Sequence, residues 1–172
     1  MSTANFPKSL AALLQDEGGN DDDKADHGGR TSRGITQREY DKWRADQHLL
    51  TRDVWTADTL EITAIYHDDY WEPLCDDLPD GIDYLYFDLA VNAGPHRAAV
   101  LLQRTLGVPD DGKVGPQTLL ALSKADPKTL IGTYTDAKRT FYHGLNQPRF
   151  LKGWLNRCDH VQSVALAMVS GS

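Results

Sequence analysis

"LLQDEGGNDDDKADHGGRTSRGIT" (Leu13–Thr36) decides how this chain is read. It begins at the end of one helical pattern and finishes at the cap of the next, with two double glycines and a run of aspartates between. Upstream, Phe6, Leu10, Leu13 and Leu14 recur at i, i+4, i+7 and i+8, which predicts a helix with one apolar face. Pro7 fits its first turn, and Gly18-Gly19 predict its end. Residues 20–35 lack helical periodicity and predict a loop with a short β-hairpin. An acidic, Gly-rich segment is ordinarily a solvated loop. The question is whether one of its carboxylates does chemistry.

Helical phase separates two neighbours. At about 100° per residue, Glu17 continues the apolar face, at i+3 from Leu14 and i+4 from Leu13, whereas Asp16 turns toward the polar side. Desolvation and the partial negative charge of the helix C-terminus would both raise the pKa of a carboxyl placed there. General-acid cleavage of a glycosidic bond needs such a protonated carboxylic acid. The other reading is that the helix frays early and Glu17 enters water; periodicity leaves both open. Asp26, across the expected hairpin, could supply the second group a glycosidase needs. Gly28 and Gly29 let the backbone turn tightly and approach a sugar. Thr31 and Ser32 offer hydroxyls that could position a water. Asp21, Asp22 and Asp23 read as solvated turn residues.

Working outward, the pattern is helical nearly throughout. Thr36 as N-cap with Glu39 as capping-box partner, and Ile35 with Tyr40 as a hydrophobic staple, mark a second helix. A third is expected near Asp58, with Glu61 completing a similar box, and stops before Pro73. A fourth covers Ile82 to Ala93. "HRAAVLLQRTL" (96–106) is closed by Gly107, Pro116 suits the first turn of the next helix, and Asp126-Pro127 start another. In that helix Leu130, Tyr134, Ala137 and Phe141 form the expected apolar stripe, and a last helix spans about 149–169.

The chain has 172 residues, suiting one compact domain or two joined halves. A formal net charge of −7 argues against a nucleic-acid partner, including a helix-turn-helix reading of "TSRGITQREYDKWRADQH" (31–48). No apolar run approaches the ~20 residues of a bilayer span, and the N-terminus does not read as a signal peptide. Cys75 and Cys158 are expected as free thiols, though one bridge between them is open. The six histidines show no zinc-site spacing, so neither metal nor cofactor is expected. Tyr66, Tyr70 and Trp71 could stack on sugar rings or pack in the core. Asn92 could cap a helix or contact an N-acetyl group or sugar hydroxyl. Trp154 reads as core, and "DDGKVGPQT" (110–118) as a turn and helix start.

"EGG" at 17–19, Asp26, Gly28-Gly29, Thr31 and "GIT" at 34–36 resemble the signature of the glycoside hydrolase family 108 lysozymes, with no insertion. "YHDDYWEPL" (66–74) and residues 87–119 resemble the peptidoglycan-binding region that follows in that family, and "FLKGWLNRCD" (150–159) its closing segment. Asn20 departs from the tyrosine usual after "EGG", which bears on contacts near the hairpin more than on the acid. The resemblance implies a mainly α, lysozyme-like fold with a short β-hairpin after the first helix. It implies a muramidase region over 1–85 and a peptidoglycan-binding helical region over 86–172. It further implies an N-acetylmuramidase with Glu17 as catalytic acid, Asp26 and Thr31 beside it, and peptidoglycan as substrate. Substrate contacts are expected from Gly28, Gly29, Ser32, Tyr66, Tyr70, Trp71 and Asn92. Members are phage endolysins and secretion-associated bacterial proteins. The expectation is a monomer made in the cytoplasm, without membrane insertion, reaching the wall through a holin-type pore or export machinery. The alternative is a non-catalytic peptidoglycan-binding or secretion-accessory protein on the same fold.

Overall fold

The computed structural model describes residues 5–16, 20–21, 30–72 and 74–170. In chain order, helix α1 (Phe6–Asp16) is followed by strands β1 (Asn20–Asp21), β2 (Thr31–Ser32) and β3 (Ile35–Thr36), then α2 (Gln37–Asp46) and α3 (Thr59–Tyr66). The remaining helices are α4 (Ile82–Ala93), α5 (Pro95–Leu106), α6 (Pro116–Lys124), α7 (Pro127–Gly144) and α8 (Pro148–Ser170). The fold is mainly helical and lysozyme-like, with its small sheet after the first helix. Contacts group the described residues of this chain into two units, Leu10–Asp69 and Met1–Ser9 with Tyr70–Ser172. α4 therefore clusters with the C-terminal helices, a division by packing distinct from the functional one expected at 85/86.

In the Leu10–Asp69 unit the helix starts follow local chemistry. The Thr36 hydroxyl accepts from the Glu39 N–H, and the Glu39 carboxylate accepts from the Thr36 N–H at 2.8 Å. Asp58 and Glu61 form the same reciprocal box on α3. The sheet holds more than the one expected hairpin. β2 pairs with β1 (Asp21 opposite Thr31) and with β3 (Ser32 opposite Ile35). The β2–β3 turn is Arg33-Gly34, with φ of 49° and 82°. Positive φ at both central residues gives the strand-matched twist of a two-residue hairpin, and glycine takes the second position without strain. After α3 the chain does not continue as α-helix to Pro73 but widens into a π-helical turn, His67–Trp71. Apolar periodicity over so few residues does not separate i+4 from i+5 bonding.

In the other unit, α4 is buried at every residue from Ile82 to Ala90 and packs against α5, α7 and α8. Phe6, Trp71 and Phe87 make mutual tilted or edge-on ring contacts at 5.3–6.1 Å. Gly81 has φ +81°, and a Cβ there would lie 2.5 Å from the Ala165 carbonyl oxygen, so α8 can approach only a glycine. Gln103, buried on α5, organises the loop after it. Its amide donates to Asp111 (2.8 Å) and to the Lys113 carbonyl (3.0 Å), and its carbonyl accepts from the Gly112 N–H (2.8 Å). Cys75 and Cys158 are buried free thiols.

The stripe of α7 is rotated from its expected phase. Ile131, Tyr134, Thr135, Lys138 and Tyr142 are buried with Leu130, whereas Ala137 and Phe141 are half-exposed. The cause is charge pairing. Lys138 Nζ donates to Asp88 Oδ2 at 2.6 Å, and Arg157 Nε on α8 donates to Asp88 Oδ1 at 2.7 Å. Burial alone would push the Asp88 carboxyl up, but the adjacent Lys138 and Arg157 charges outweigh it and hold it below the ordinary value. Asp83 is the opposite case. Burial pushes it up to about 6, against hydrogen bonds from Asn5 (2.8 Å) and the Tyr84 N–H (2.7 Å).

Two outcomes follow for stability. Lys138→Met leaves Asp88 with Arg157 alone and should cost about 3 kcal/mol or more in urea unfolding; an unchanged midpoint would refute this role. Because Asp83 is raised in the folded state, the folded chain binds more protons than the unfolded one between pH of about 4 and about 6. Its contribution to stability is thus lost as pH rises through that window. The stability of Asp83→Asn relative to wild type should rise by up to about 2–3 kcal/mol across it and level off above. A pH-independent difference would show that Asp83 titrates normally.

Candidate functional site

Glu17, Asp26, Gly28 and Gly29 lie outside the described residues. The elements that flank them in the chain are α1, which ends at Asp16, and the strands β1 and β2. β2 carries the other two predicted site residues: Thr31 is half-buried and Ser32 is buried. As the central strand it is held from both edges through its pairing with β1 and β3.

Side chains from two further segments, and the hairpin's own Arg33, fix this strand. The Tyr66 hydroxyl of α3 donates to the Arg33 carbonyl at 2.7 Å. Arg33 donates to the Ala57 carbonyl at 2.9 Å. The Trp55 indole N–H, from the 3-10 turn Val54–Thr56, donates to the Thr31 carbonyl at 3.0 Å. The Arg30 guanidinium lies 4.0 Å from the centre of the Trp55 ring and pairs with Asp53. Asp53 in turn caps that 3-10 turn through the Trp55 N–H at 2.9 Å. Gln37, the first residue of α2, ties the same turn down. Its carbonyl accepts from the Val54 N–H (2.8 Å), and its amide donates to Asp41 and to the Arg52 carbonyl. A polar groove of about 350 Å³ lined by Gln37, Asp41, Thr51, Arg52 and Asp53 opens beside it. Trp55 remains 37% exposed. This tryptophan and its arginine were absent from the sequence reading. The signal that could have found them is an isolated Trp in a polar segment, "TRDVWTAD" (51–58).

Two carboxylates of this unit compare instructively with the expected acid. Glu61 accepts from Tyr40 (2.8 Å) and pairs with Arg44 and Arg52. Glu61 thereby ties α2, α3 and the segment at Arg52 together. Asp69, on the π turn, has its carboxyl raised by burial. The charges of Asp68, Glu39 and Asp46 add to that rise, against Lys42. Among the described residues no group of His, Cys, Asp and Glu is placed to hold a metal ion.

The remaining predicted contacts divide between units. Tyr66 belongs with the β2–β3 hairpin and is buried. Trp71 is fully buried between Phe6 and Phe87, with its indole N–H on Asp76 at 2.7 Å. In this structure both rings are covered by protein. Tyr70 is half-buried. Asn92 is exposed in the last turn of α4, and its amide donates to the Asp88 carbonyl one turn back at 2.7 Å, while Gly94 is the residue at the helix cap.

The chain matches the family model Glycosyl hydrolase 108 over residues 10–94 and the Predicted Peptidoglycan domain over residues 97–159. Among solved structures it is similar to SagA of Brucella abortus, with 34% sequence identity, a TM-score of 0.86 and 97% of each chain covered. No curated protein matches it. Two family matches in series, and a solved relative aligned along nearly its whole length, place this chain in the glycosyl hydrolase 108 family, with a peptidoglycan-binding domain after the hydrolase region.

Proposed function

We propose that the chain is a lysozyme that hydrolyses the β-1,4 bond between N-acetylmuramic acid and N-acetylglucosamine. The observation that carries this reading is the hydrolase family match over residues 10–94, which contains the whole Glu17–Thr36 signature. In the proposed mechanism Glu17 protonates the leaving glycosidic oxygen. Asp26 stabilises the oxocarbenium-like transition state or activates water from the opposite side. Thr31 orients that water, and the braced β2 supports its position by limiting how far the hydroxyl can wander. Gly28 and Gly29 would let the backbone approach the sugar, whereas Ser32, buried on β2, would support the strand, and exposed Asn92 would offer a polar contact from α4. Of the three expected aromatics, Tyr70 keeps exposure for stacking, while Tyr66 and Trp71 are buried, each within its own unit.

For access we follow the endolysin resemblance. The chain acts as a monomer, made in the host cytoplasm and passed to the wall by a holin-type pore or an export route. No helix among the described residues is long and apolar enough to cross a membrane.

A turbidity assay on outer-membrane-permeabilised Gram-negative cells tests the acid. Glu17→Gln should keep the melting curve and lose ~10²–10⁴-fold in rate. Asp26→Asn should show a smaller, clear loss. Asp69→Asn should lyse at the wild-type rate. Full activity in the Glu17 variant together with loss in the Asp69 variant would move the acid to Asp69. A wild-type chain that binds murein without clearing cells would favour the non-catalytic alternative. Mass spectrometry of the digest should show reducing-end muramic acid, and free peptides in its place would sink the glycosidase reading.

A further inference from the structure

The hairpin of helices α7 and α8 carries a row of aromatic rings near its tip. Phe141 and Tyr142, late in α7, have centroids 5.3 Å apart. Tyr142 stacks on Trp154 of α8 at 5.2 Å, and Trp154 meets Phe150 at 5.8 Å. The order is therefore Phe141, Tyr142, Trp154, Phe150. Tyr142 is buried, Phe141 and Trp154 are half-exposed, and Phe150 is 48% exposed. A guanidinium stands at each end: Arg97 of α5 lies 5.2 Å from the Phe141 centroid, and Arg149 lies 5.2 Å from that of Phe150. Both arginines are exposed.

The charge around the row runs against that of the chain. Net charge is −7, yet residues 137–158 hold five Lys or Arg and no Asp or Glu. Lys138 and Arg157 are committed to Asp88, and Arg139 to Asp136 and Asp159. Arg149 and Lys152 make no ion pair among the described residues. Core packing would account for Tyr142 and the inner face of Trp154, but not for an exposed Phe between cations. Aromatic faces bind the apolar faces of sugars, and guanidiniums bind carboxylates.

We propose that this row is the platform by which the chain holds peptidoglycan. The exposed parts of Phe150, Trp154 and Phe141 stack on amino-sugar rings, and Arg97 and Arg149 meet the carboxylates of the stem peptides. All five residues fall within the segment matching the Predicted Peptidoglycan domain, residues 97–159. The inference rests on peptidoglycan as the substrate and not on Glu17 as the acid.

The test is co-sedimentation of the full chain with purified murein sacculi in the cold, over a range of protein concentrations. Phe150→Ala and Arg149→Ala should each weaken apparent affinity about tenfold. Leu120→Ala, on exposed α6 surface away from the row in sequence, should bind as wild type. On glycan strands stripped of stem peptides, with the lactyl carboxylates so exposed converted to amides, Arg149→Ala should match wild type while Phe150→Ala still binds less. Unchanged melting curves should accompany these losses, since both side chains are solvent-facing. Wild-type binding by both variants would overturn the platform. So would a wild-type dimer that Phe150→Ala converts to monomer, which would make the row a contact between copies. Binding without cleavage would instead count against the Glu17 reading and leave the platform standing.

Discussion

The carboxylate of Asp88 is wholly removed from water, and three helices meet at it: its own α4, α7 through Lys138, and α8 through Arg157. Burial of a lone charge costs several kcal/mol in order-of-magnitude terms, so the site persists only while both cations are in place. A pair of this kind contributes little net stability. It does penalise any sliding of α7 or α8 that separates the partners. The rotated stripe of α7 is one consequence, since the helix must present Lys138 inward and so half-exposes Phe141. The exposed aromatic row on that hairpin thus has its origin in an ion pair deeper in the same unit.

In the Leu10–Asp69 unit the organising device is a mesh of neutral and charged hydrogen bonds around one short strand. A two-residue strand has too little surface to hold itself in place. β2 is kept by backbone pairing on both edges, by Tyr66 and Trp55 from elsewhere in the unit, and by Arg33 of its own turn reaching the Ala57 carbonyl. Glycoside hydrolysis asks for such stiffness, because a misplaced water or hydroxyl raises the barrier steeply.

The legible part of this fold was the part written in adjacent residues. Both capping boxes, Pro116 and Pro127 in first turns, and the Gly107 close of α5 are set by chemistry within a few positions of each other. The expected short hairpin after α1 could be read for the same reason, although the Arg33-Gly34 turn was not: arginine is an uncommon occupant of a left-handed position. Features that depend on partners far along the chain were hidden. Nothing local marks Lys138 as buried, Gln103 as the clamp of the 110–118 loop, or Trp55 as the neighbour of Thr31. The Glu17–Thr36 signature, which falls within the family match, was legible through a glycine and carboxylate spacing; the bracing of β2 was not.

The boundary between the two family segments falls between α4 and α5, yet α4 is packed into the C-terminal helices on every side from Ile82 to Ala90. Asn5 and Phe6, which precede the hydrolase match in the chain, also join that unit. The two segments are consequently not interchangeable cassettes. A recombination event at the family boundary would leave α4 facing a foreign helix set, with Asp88 stripped of both cations. Exchange among relatives of this architecture is therefore expected to carry α4 and the C-terminal helices as a single inherited block.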